Sequence, residues 1–188
     1  MAPQTLARTL TNTLNPFAIF TALFVLVAFA EVALLRALLY AGAELFSAAA
    51  VAGDVLFMRR LSRVGDFWIS ARAERLTPAL FLLAAFVALL VALRLLDAPD
   101  DLLLLTLSMG LASAAVALLT LFFKTSAHCT VAGHAAAAGL LLLGPLGWIF
   151  AITLPLVIWA RVAAGAHTLI EALTGGVVGA GFAVLFFT

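Results

Sequence analysis

Ala160 to Gly179 reads ARVAAGAHTLIEALTGGVVG: an arginine, a histidine six positions on and a glutamate four beyond that, heading an otherwise apolar run. Alanine, glycine, leucine and valine need none of these groups for packing, and in lipid a charge or an imidazole must be paired, hydrated or used. The stretch therefore reads as the wet end of a membrane helix that carries chemistry. Arg161 can hold an anion. His167 can attack or bind, and Glu171, one helical turn later, can accept its other ring proton and fix the tautomer. A second polar cluster lies upstream, where Lys124, His128, Cys129 and His134 crowd into KTSAHCTVAGH.

Working outward, 66% of the 188 residues are hydrophobic and 10% are charged, whereas a soluble domain carries about 25% charge. Uncharged runs of about 20 residues span a bilayer as helices, with every backbone group bonded internally. The chain reads as an all-α, polytopic transmembrane bundle of about six helices, a single domain over residues 1–188. A net charge of +1 argues against a nucleic-acid partner and against a polybasic lipid anchor. Cys129 is the single cysteine and cannot close an intrachain disulfide.

The apolar run Phe17 to Tyr40 is longer than a signal peptide's core and lacks an obvious cleavage site, so it is expected as a retained first helix. Glu31 and Arg36 fall inside it, five positions apart. Ala41 to Phe57, with Glu44, Ser47 and Asp54, reads as a short second crossing or an interfacial helix. Residues 58–77 are polar and basic and suit an interfacial loop or helix, with Phe67 and Trp68 at headgroup level. Pro78 to Leu96 and Leu102 to Phe123 form an antiparallel pair around the acidic turn at Asp97 to Asp101. His134 opens the next apolar run. Between it and Arg161 there is room for one comfortable crossing, or for two short helices joined at Gly144 and Pro145; only the second brings the two polar clusters together. In Leu169 to Phe187, Gly175, Gly176 and Gly179 permit close helix contact.

These residue types suit phosphoryl transfer. A phosphate ester gathers charge on its equatorial oxygens during transfer, and Lys124 and Arg161 are suitable clamps, the planar guanidinium gripping two oxygens at once. One neutral imidazole can attack phosphorus while a second, protonated, releases the leaving group. With Glu171 at i+4, His167 is the better nucleophile. His134, at an expected helix start, is then the acid. His128, Cys129, His134 and His167 have no spacing that enforces a zinc site, and neither metal nor cofactor is expected.

AGHAAAA and ARVAAGAHTLIEALTGG resemble the second and third signatures of the type 2 phosphatidic acid phosphatase superfamily, written PSGH and SRxxxxxHxxxD. The resemblance implies a metal-independent membrane phosphatase of lipid phosphates or polyprenyl diphosphates, in an inner or plasma membrane. It assigns attack to His167, orientation to Glu171, leaving-group protonation to His134, and phosphate binding to Lys124, Arg161 and the backbone around Gly133. Ala132 and Ala160 replace two family serines, Glu171 replaces an aspartate, the first signature survives only as Lys124, and the interval from glycine-histidine to arginine is contracted. The resemblance also implies three crossings before Lys124, which makes Ala41 to Phe57 interfacial and, with a cytoplasmic N-terminus, places the site outside, although the arginines between 59 and 75 favour a cytoplasmic face. The alternatives are a noncatalytic membrane scaffold or subunit, engaging a membrane protein or a second copy of itself, and a small lipid transporter.

Overall fold

The computed structural model describes residues 3–69 and 71–188, without the side chains of Pro3 and Arg72. The described residues form eight α-helices: α1 (Pro3–Thr13), α2 (Pro16–Glu31), α3 (Leu34–Arg60), α4 (Leu76–Leu95), α5 (Asp100–Leu119), α6 (Ala127–Leu143), α7 (Trp148–Ala163) and α8 (Leu169–Phe187). Five helical segments are long and apolar enough to cross a bilayer: α3, α4, α5, the stretch 127–163 and α8. A sixth is added if α1 and α2, bent by 42°, are taken as one span. Many large apolar side chains along these helices face outward, among them Leu35, Phe46, Val87 and Leu185, as lipid rather than water requires. The chain is an integral membrane protein.

The run Phe17 to Tyr40 is not one helix. Asn15 caps α2 by accepting the Ala18 N–H at 2.9 Å, Pro16 fills the first turn, and the helix stops at Val32, which is extended. Glu31 and Arg36 thus sit exposed at a turn instead of inside a span, which removes the cost of burying them in hydrocarbon. The next helix absorbs both the end of that run and Ala41 to Phe57 into 27 residues. Its Tyr40 hydroxyl lies 3.2 and 3.1 Å from the Leu96 and Asp97 carbonyls, so α3 begins beside the α4–α5 turn.

The stretch 127–163 also folds back. Gly144 takes a positive φ of 54°, Gly144 to Gly147 form a 3₁₀ turn, and a Cβ on Gly139 would meet the Phe150 ring. The legs α6 and α7 are therefore antiparallel, and α8 runs parallel to α6. Glycine makes this last contact: a Cβ on Gly133 would strike the Gly176 backbone, one on Gly175 the Ser126 carbonyl, and one on Gly179 the Thr130 carbonyl. Two backbones this close gain dispersion contacts that larger residues forbid.

Four antiparallel helices, α2 to α5, precede Lys124, one more than the resemblance implied. One end of the bundle, the head face, gathers Arg8, Arg59, Arg60, Arg63, Arg72, Arg75, Lys124 and Arg161. The opposite, tail face has Arg36 and Arg94 with Glu31, Asp97, Asp100 and Asp101. The basic segment between α3 and α4 folds over the head face. Val64, Phe67 and Ile69 pack on Val55 and Met58, and Phe67 also meets Phe17 with ring centroids 6.2 Å apart.

Candidate active site at the head face

The turn between α7 and α8 places the histidine. Gly165, at φ 70°, reverses the chain after α7 in the left-handed conformation that helix ends favour. The Ala166 and His167 N–H groups then both point to the Arg161 carbonyl, at 3.1 and 3.3 Å. Thr168 caps α8 by accepting the Glu171 N–H at 3.3 Å, and Glu171 Oε2 accepts the Thr168 N–H at 3.0 Å, a reciprocal capping box. The same Oε2 lies 3.2 Å from His167 Nδ1. A carboxylate held by its own helix end thus selects the tautomer with the proton on Nδ1 and leaves a lone pair on Nε2.

His167 shares a cavity of about 650 Å³ with Arg75, His128 and Arg161. Burial, then the positive charges of Arg161, Lys124 and Arg75, push the His167 pKa down to about 4, against the opposing pull of its bond to Glu171. The imidazole is uncharged at neutral pH, as a nucleophile must be.

Arg75 is fixed by backbone carbonyls: Nε donates to Ile69 at 3.0 Å and Nη1 to Thr125 at 3.1 Å. Ser126 caps α6 through the Cys129 N–H at 3.4 Å, and the Ser126 N–H reaches the Glu171 carbonyl at 3.4 Å, which joins the heads of α6 and α8. His128 is then in the first turn of α6, 4% exposed, with the Trp68 ring edge-on at 4.8 Å between centroids. His128 Nε2 and Arg161 Nε are both buried without a hydrogen-bond partner. Unpartnered buried polar atoms are costly, and these two line the same cavity. Arg161 also lines a smaller cavity of about 300 Å³ between α1 and α7, with Arg8, Thr11 and Asn12.

The structure brings Arg161, His167 and Glu171 together with Lys124 beside them, and separates His134 and Gly133 from them. His134 does not open a helix. It lies two turns inside α6, fully buried, with Nε2 2.8 Å from Ser108 Oγ, and it does not line the cavity. Its backbone packs against Gly179, eight residues beyond Glu171 along α8, or about 12 Å deeper at 1.5 Å per residue. Gly133 serves the α6–α8 contact instead of presenting a backbone cradle. Lys124 donates to the Ala166 carbonyl at 2.9 Å, so it braces the turn carrying His167 while adding positive charge nearby. Sequence reasoning missed Arg75 and the role of His128. The available signal for His128 was Ser126, a helix-capping residue two positions before it.

Among the described residues no group of three His, Cys, Asp or Glu side chains could hold a metal ion. No family model, curated protein or solved structure matches the chain.

Proposed function

We propose that the protein is a metal-independent phosphatase of lipid phosphates or polyprenyl diphosphates in an inner or plasma membrane, and that it works through a phosphohistidine on His167. The observation that carries this reading is the set of groups on one cavity wall: a neutral histidine oriented by a carboxylate, two arginines, and a second histidine with an unpartnered ring nitrogen. His167 Nε2 attacks phosphorus and the phosphorus–oxygen bond to the lipid breaks. Arg161 and Arg75 stabilise the charge on the equatorial oxygens. His128 takes up a proton as the anionic phosphate enters beside it and gives that proton to the departing alcohol or phosphate oxygen. Neutral His128 next takes a proton from water, whose oxygen attacks phosphorus. The phosphorus–nitrogen bond breaks, inorganic phosphate leaves, and both histidines return to their starting state.

The resemblance supports this reading more fully when its second signature is placed on Thr125–Ser126–Ala127–His128. The family serine then has a counterpart in Ser126, while Thr125 and Ala127 stand at its proline and glycine, and the interval to Arg161 lengthens by six residues. The test is phosphate release from lipid monophosphates and diphosphates by the purified protein. Release should persist in chelator and fall by at least about a hundredfold in His167→Ala. Equal release by wild type and variant would discard the proposal.

The second reading is a noncatalytic scaffold. It is favoured by the bonds that Glu171 and Lys124 already make to the local backbone, which give both residues structural work without any substrate. Absence of turnover across the lipid panel would select it.

A further inference from the structure

We propose that the head face is cytoplasmic, so that the site takes its phosphorylated lipid from the cytoplasmic leaflet. The sidedness stands on charge distribution alone, whereas the substrate class rests on the phosphatase reading above. Lysine and arginine in short loops and near helix ends stay on the cytoplasmic side during insertion, while acidic residues contribute little. Eight of the ten lysines and arginines are on the head face and two on the tail face. The connections between the spanning helices are short at both faces, so the rule applies throughout.

The cavity gives the lipid one orientation. Arg75, His128, Arg161 and His167 are at its head end, while Leu89 and Met109 line it deeper in the bundle. Leu89 is thirteen residues beyond Leu76, the first residue of α4, or about 20 Å down the helix, past the middle of a hydrocarbon core about 30 Å thick. A lipid of the head-face leaflet sets its phosphate among the cations with its chain pointing inward. A lipid of the other leaflet presents phosphate at the tail face, where Arg36 and Arg94 are exposed and line no part of the cavity.

Gly65→Cys and Asp100→Cys in the full chain report the two faces. Both positions are exposed, and a Cβ at Gly65 makes only ordinary contacts, 3.8 and 3.9 Å from the Glu74 carboxylate. Cys129 is fully buried, which keeps the background low. With a membrane-impermeant maleimide, Asp100→Cys should react in intact cells and Gly65→Cys only after permeabilisation; the reverse pattern, or both reacting in intact cells, overturns the sidedness. Trypsin cleavage at Arg59 to Arg63 of the wild type should occur in inside-out vesicles and not in right-side-out ones, an independent readout without substitutions. A lipid monophosphate added to the exposed leaflet should be hydrolysed by inside-out vesicles alone, and hydrolysis only in right-side-out vesicles overturns the leaflet assignment. No hydrolysis in either sinks the phosphatase reading, while labelling still decides sidedness. Para-nitrophenyl phosphate should be a poor substrate; turnover matching that of the lipid overturns the cavity's role in holding a chain.

Discussion

At the residue scale, Glu171 does two jobs with one oxygen, capping α8 and orienting His167, and the two can be separated. Glutamine can put its carbonyl oxygen where Oε2 stands and accept both N–H groups, so Glu171→Gln removes charge while keeping the cap. We expect thermal stability close to wild type and turnover down by at least about tenfold, or roughly 1.4 kcal/mol in the transition state. Glu171→Asp keeps a carboxylate, the acid of the signature that the stretch resembles, and should retain activity; unchanged turnover in Glu171→Gln would remove the carboxylate from the mechanism. The pKa of about 4 at His167 fixes a pH dependence. The folded state disfavours the proton, so this residue's contribution to stability is complete above pH 6.5 and is lost as pH falls from 6.5 towards 4. The acid limb of kcat/KM due to His167 should lie near pH 4, and one near 6.5 would contradict the burial argument. The pair His167 and Glu171 was legible in the sequence from its four-residue spacing, although His167 precedes the Thr168 cap and meets Glu171 across the capping box instead of along a helix face. His128 was not, because choosing between it and His134 depends on where α6 begins, and that is set by Ser126 finding the Cys129 N–H.

At the element scale, the site depends on α6 and α8 lying close enough for Ser126 to reach the Glu171 carbonyl. Gly179→Ala forces a Cβ into the Thr130 backbone, while a Cβ on Gly181 meets nothing within 4 Å. Thermal unfolding in detergent should show Gly179→Ala destabilised by about 1–3 kcal/mol with turnover reduced, and Gly181→Ala near wild type. Equal effects would mean that the glycine contact does not hold the site together. Glycines at 175, 176 and 179 signal a close helix contact by their spacing alone, since they leave one stripe of α8 without side chains. The end of α2 carries no such signal: a largely apolar run hides a two-residue turn, and the telling residues, Glu31 and Arg36, read equally well as charges facing another helix or snorkelling at one end. The fold-back at Gly144 and Pro145 was legible only as one of two options, because the interval from His134 to Arg161 fits either.

At the scale of the whole molecule, the basic segment after α3 and the candidate site share one face because two helices, α4 and α5, separate them, and the extra helix before Lys124 puts that face on the same side as the start of α2. The conflict between the arginines and the implied outside site arose from counting Ala41 to Phe57 as interfacial when it is the body of a 27-residue helix. Membrane character and all-helical architecture were legible from composition, since hydrocarbon leaves few alternatives; the number of helices was less so, because their ends depend on single capping residues. What the bundle achieves is to bring Arg75, His128 and the Arg161–His167 turn, three separate parts of the chain, to the head end of one cavity. The most direct test is to mix purified protein with lipid monophosphate carrying ³²P, quench within milliseconds and measure protein-bound label. Our account predicts an acid-labile, alkali-stable phosphoenzyme in the wild type, none in His167→Ala, and slower formation in His128→Gln with His134→Gln little changed. Label of the same stability and amount in His167→Ala, or lipid turnover with no phosphoenzyme at any time, would contradict it.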